Sequence, residues 1–204
     1  MNLPRSLPAR LYLLAYDVEK ERLTARTQLG LVLRAAALAD LYLDQRLTDD
    51  DGKVKVIAAK PTGDPVLDAV LRRIAEAKPR SWRRWVNADD RRIVREVRDQ
   101  LEQDRWIEVK PRRILPDRVT LRERRQVKRY ATEVKAALRP AADADPRTEA
   151  ALVLAARGEL PTVLNRRGRR EHARRIEELS DTVWPVARAL EKAVRQKHAA
   201  AASG

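Results

Sequence analysis

Cysteine and phenylalanine are absent from this 204-residue chain, methionine occurs once, histidine twice and glycine six times. Each shortage closes a class of function. Without cysteine there is no disulfide, no thiolate nucleophile and no thiolate zinc site. His172, inside RREHARR, and His198, near the carboxyl end, stand in no Ser, Cys or carboxylate pattern suggestive of a triad or a metal site, so both read as solvated surface residues. Six glycines leave no Gly-rich cradle for a cofactor, and PTGDP (Pro61 to Pro65) lacks the GK[ST] ending of a phosphate loop. The sequence therefore predicts a protein that is not an enzyme and needs no cofactor. Long apolar runs are missing too. The stretch from Leu11 to Tyr16 falls far short of the ~20 residues a spanning helix needs, and of a signal-peptide core. The expectation is a cytoplasmic chain whose membrane contact is peripheral, at the inner face.

Positive charge, by contrast, is abundant and localised. Lys and Arg number 44 against 30 Asp and Glu, a formal charge of +14. Residues 80–129 hold 17 basic and 9 acidic residues and residues 157–176 hold 7 and 2, so these two segments carry nearly all of the excess. Such concentration marks a surface for a polyanion, either nucleic acid or an anionic membrane, although net charge also serves solubility. Arginine outnumbers lysine 34 to 10. Arginine binds phosphate in bidentate fashion, and genomic base composition produces the same bias.

The periodicity predicts a mainly α fold: a single globular helical bundle with a short β-hairpin or small strands at its periphery, over residues 1–197, and a frayed tail at 198–204. The first clear helix, from about Thr27 to Asp44, is apolar nearly all round and so belongs inside. An acidic turn at Thr48 to Gly52 precedes a strand at 53–56. Asp64 as N-cap and Pro65 at the first helical position open an amphipathic helix that Pro79 stops. A linker with Trp82 and Trp85 leads to a helix opened by Asp89 or Asp90. Two short strands follow between Arg105 and Leu121, around a basic Pro-rich turn. The rest reads as helices near 121–138, 148–160, 168–179 and 181–196. Spacing puts Trp184 in the core with Val183, Ala187 and Leu190. Trp82 and Trp85, flanked by Arg80, Arg83 and Arg84, either anchor at a membrane interface or cover a helix junction.

Two arginine groups carry the candidate chemistry. Arg34 lies inside the apolar helix, where a buried guanidinium is costly unless it is paired or meets an anion. Its alternatives are a salt bridge, to Asp40, Asp44 or a carboxylate elsewhere, and a phosphate contact at the bundle edge. Arg91, Arg92 and Arg95 occupy the first turns of the next basic helix, where the dipole favours bound anions; the alternative is a solvated face balanced by Asp99 and Glu102. Asp49, Asp50 and Asp51 read as a solvated loop.

LGLVLRAAALADLYLDQRL (Leu29 to Leu47), followed by KVKVIAAKPTGDPVLDAVLRRIAEAKP (Lys53 to Pro79), resembles the front half of Golgi phosphoprotein 3 domains. The likeness continues through the Trp-containing linker, the Arg-rich helix and hairpin, the EAALVLAARGEL segment and the Val183-Trp184 pair. The abundant Arg and Ala, and a short start without a long basic tail, are similar to bacterial members. The resemblance implies an all-helical globule with a β-hairpin and no enzymatic activity. It implies binding of anionic headgroups of the phosphatidylinositol 4-phosphate kind, gathering of the cytoplasmic tails of membrane proteins, and self-association through the 105–121 hairpin. The family's lipid pocket carries over onto Arg34 and Arg91, with Arg95 a near match by spacing. Its tryptophan does not carry over: Ala25 and Arg26 stand in that place, making Arg26 a further candidate. The competing reading is a winged-helix-like nucleic-acid binder using helix-then-hairpin units. Against it, the first candidate recognition helix offers no polar face to read base edges.

Overall fold

A computed structural model describes residues 3–88, 90–113, 117–140 and 144–202, apart from the side chain of Asp90. Its centre is the helix that is apolar all round, α2 (Leu29–Leu43), with every residue from Leu29 to Leu41 buried. Around it pack α1 (Leu7–Leu14), α3 (Pro65–Glu76), α4 (Trp82–Val86), α5 (Asp90–Gln103), α7 (Pro146–Arg157) and α10 (Trp184–Ala202). Small side chains let α2 and α7 approach closely: Ala35, Ala36, Ala37 and Ala39 on one, Ala150, Ala151, Ala155 and Ala156 on the other are all buried. Gly158, just past α7, lies against Val32 so tightly that an added methyl would overlap Val32 Cγ2.

The outer helices start where local chemistry tells them to. The Asp64 carboxylate accepts hydrogen bonds from the Val66 and Leu67 amides at 3.0 Å each and caps α3. Asp145 caps α7 in the same way, accepting from Arg147 and Thr148. The fold is thus mainly α, with small strands at its edge. Those strands form three antiparallel hairpins: β1 (Tyr16–Asp17) with β2 (Arg22–Leu23), β3 (Leu47–Asp50) with β4 (Lys53–Val56), and β5 (Ile107–Lys110) with β6 (Arg118–Leu121). Tyr16 Oη donates to the Val119 carbonyl at 3.1 Å, tying the first hairpin to the third. α6 (Arg124–Ala136) lies between the third hairpin and α7 in sequence, and α8 (Arg166–Glu171) and α9 (Ala173–Ser180) lie between α7 and α10.

Several sequence expectations are corrected. The acidic segment is not a loop up to Gly52: Thr48, Asp49 and Asp50 belong to β3, and only Asp51 and Gly52 turn, both at positive φ. The predicted helix at 168–179 begins at Arg166 and is broken at His172. α10 runs through Ala202, into the segment 198–204 that was read as a tail. Trp184 is 39% exposed, with Arg188 stacked on its ring at 5.6 Å, instead of sitting in the core. Trp82 and Trp85 are buried and cover a junction, so they offer no ring to a membrane interface. Trp82 Nε1 donates to Asp49 and its ring meets Tyr42 edge-on at 5.7 Å, joining α4 to the second hairpin. Burial of α2 on every side also removes the winged-helix reading of the first helix–hairpin unit, because a helix with no open face cannot enter a groove.

Candidate anion-binding site

Arg34, in the middle of α2, is 1% exposed. Its head reaches the loop between α4 and α5, where Nε donates to the Ala88 carbonyl at 3.1 Å. The two nearby carboxylates that the sequence offered as partners are used elsewhere. Arg147 donates from Nε to Asp40 at 2.8 Å and from Nη2 to Asp44 at 2.6 Å. The other oxygen of Asp40 accepts from the Leu7 amide at 2.7 Å, pinning α1 on α2. Burial raises the Asp40 pKa; the Leu7 hydrogen bond and the Arg147 charge oppose that shift without cancelling it.

Beyond Ala88 opens a cleft of about 600 Å³ lined by Arg73, Ala77, Arg80, Arg84, Trp85 and Ala88. Trp85, 5% exposed, forms its floor, and the Arg80 guanidinium lies 5.4 Å above that ring. Arg73 stands 3.8 Å from Glu96, whose same oxygen accepts from Arg92 Nε at 2.7 Å. Arg80 and Arg84 are exposed, and neither meets a carboxylate among the described residues. Arginine is a fixed positive charge that only donates hydrogen bonds. The chemistry of such a lining suits an oxyanion and offers no group that relays protons.

The sequence candidates lie on several elements. Arg34 meets the chain at Ala88, two residues before α5 begins at Asp90; Asp89, the other candidate for opening that helix, lies outside the described residues. Arg91 and Arg95, four residues apart, are exposed on α5. Arg92 turns toward Glu96. Arg26 instead lines a different cleft, with Arg22, Arg112 and Arg118. Arg80 and Arg84 were read only as flanking the two tryptophans, not as anion ligands, and Arg73 was not singled out. The available signal was RSWRRW at 80–85: two tryptophans three residues apart among arginines make one apolar face of a helical turn with cations around it.

A mainly helical domain edged by hairpins, with arginines around the start of one helix, belongs to the class of mainly α proteins. Among the described residues no helix is long and apolar enough to cross a membrane. The family model described as Golgi phosphoprotein 3 matches residues 7–197, and the chain belongs to that family. A search of curated proteins found no match.

Proposed function

We propose that this protein is a peripheral membrane protein that recognises anionic, phosphate-bearing headgroups of the phosphatidylinositol 4-phosphate kind. The site lies where Arg34 reaches the start of α5, with Arg91, Arg92 and Arg95 on the helix and Arg80 and Arg84 flanking. At the inner face of the membrane it acts as an adaptor for the cytoplasmic tails of membrane proteins. One observation carries the reading: a fully buried guanidinium is brought to the chain just before a helix start, beside a cleft walled by three more arginines. Helix starts favour anions, and arginines match phosphate oxygens in pairs. Membership of the Golgi phosphoprotein 3 family supports it as well.

Each cation near an anionic bilayer adds about 1 kcal/mol, so a few exposed arginines suffice for reversible attachment without insertion. Such attachment must weaken with salt, given a Debye length of about 8 Å at physiological ionic strength. The test is vesicle co-sedimentation of wild type and Arg34→Ala on neutral, generally anionic and phosphatidylinositol 4-phosphate-containing vesicles. The reading expects binding to the anionic vesicles and its loss in Arg34→Ala at unchanged helicity. Equal binding by the two proteins, or binding indifferent to salt, defeats it.

A further inference from the structure

We infer that the cleft between the first and third hairpins is a second phosphate-binding site, distinct from the one at Arg34. The cleft encloses about 430 Å³. Lys20, Glu21, Arg22 and Arg26 contribute from the β1–β2 hairpin and the chain just after it; Arg112, Asp117 and Arg118 contribute from the β5–β6 side. Five cations thus face two carboxylates.

Both carboxylates are already matched. Glu21 accepts from Arg124 of α6 and from Arg118 at 3.4 Å, and Asp117 accepts from Arg98 of α5 at 2.9 Å. The Arg124 hydrogen bond is the main reason the Glu21 carboxyl lies below its ordinary range, so Glu21 stays ionised and committed to its arginines. Lys20 stands 3.8 Å from Asp17. Arg22 faces Asp17 across the β1–β2 register, yet it forms no ion pair among the described residues, and neither do Arg26 and Arg112. The sequence carries no charge at positions 114–116. Three guanidinium groups of one sign, open to a concave surface, concentrate positive potential there. The group that answers them is compact, doubly charged and rich in acceptors, which describes a phosphate.

This cleft is not an extension of the first site. The two clefts share no lining residue. The phosphate can belong to a lipid headgroup or to a soluble phosphate compound, and the experiment separates the two. Wild type is compared with R26S/R112S, with Arg34→Ala, and with K60S/R139S, which also removes two positive charges, from exposed positions outside both basic segments. Vesicles of phosphatidylcholine with phosphatidic acid report the lipid source, and calorimetric titration with inorganic pyrophosphate reports the soluble one. Circular dichroism confirms that each variant is folded.

R26S/R112S should weaken vesicle binding about 25-fold, at about five-fold for each charge, while K60S/R139S changes it by less than about two-fold. Pyrophosphate binding lost in R26S/R112S but kept in K60S/R139S supports the site with a soluble ligand. A vesicle effect without pyrophosphate binding supports it with a lipid one. Equal behaviour of R26S/R112S and K60S/R139S in both assays overturns the site. If Arg34→Ala abolishes vesicle binding and R26S/R112S matches the control, the headgroup reading stands and this one falls. The reverse result keeps the second site and removes the first.

Discussion

Replacing Arg147 by methionine isolates the energetics of the contact that joins α1, α2 and α7. Asp40 is 1% exposed and is held by two partners only, the Leu7 amide and Arg147 Nε. The methionine keeps the aliphatic stem and removes the charge, leaving a buried carboxylate with one neutral donor. Breaking a buried pair in this way costs about 3–5 kcal/mol. Arg147 is 35% exposed and water can partly replace it, so the lower figure applies, about 3 kcal/mol at pH 7. For a chain of this size that corresponds to a fall in melting temperature on the order of 10 °C. The pH dependence has a definite sign. Burial already raises the Asp40 pKa, and losing Arg147 removes one of the influences that lower it. In the variant the native state therefore binds this proton more readily than the unfolded state does. The penalty is full above the native pKa and disappears as pH falls toward the ordinary carboxylate value of about 3.9. Urea denaturation at pH 7 and at pH 4.5 measures this directly, and Asp40→Asn combined with R147M supplies the control because it has no carboxylate to titrate. A loss below about 1 kcal/mol at pH 7, or a loss equal at the two pH values, would refute the account.

Two packing predictions follow. Gly158→Ala should cost about 1–3 kcal/mol, because its methyl overlaps Val32 Cγ2 and stands 2.8 Å from the Leu154 carbonyl; V32A in the same chain should recover part of that loss, and a melting temperature unchanged by Gly158→Ala would contradict it. Trp82→Phe deletes the hydrogen bond to the exposed Asp49 and should cost about 1.5 kcal/mol, with amide exchange rising first in the β3–β4 hairpin. Faster exchange confined to other parts of the molecule would show that this bond does not fasten the hairpin.

The parts of the fold that could be read in advance are those decided within a few residues. The bounds of α3 follow from Asp64, Pro65 and Pro79, each acting on its own neighbours. α2 was legible because a helix apolar on every side has one place to go. What was missed depends on phase or on distance. Trp184 shares helical spacing with core residues, but a short 3₁₀ turn at Asp181–Val183 shifts the phase, so Val183, Val186, Ala187 and Leu190 face inward and Trp184 does not. The turn of the second hairpin was read as spanning Thr48 to Gly52, whereas only Asp51 and Gly52 turn and the preceding acidic residues pair in β3. At the site, the cost of burying Arg34 was evident. That Asp40 would be taken by Arg147, 107 residues away, is a tertiary fact no local pattern contains. The same holds for Arg26, which stands eight positions from Arg34 in the chain yet lines the cleft between the hairpins.

The arginines of the two clefts come from segments scattered between Arg22 and Arg118, and only the folded chain sets them side by side. An unfolded copy has the same composition but offers an anion no such arrangement. Binding and folding are therefore thermodynamically linked: a multivalent anion present at 100 times its dissociation constant would add about 2.7 kcal/mol to the stability of the native state. The concentration of such an anion would then help to set how much of the chain is folded.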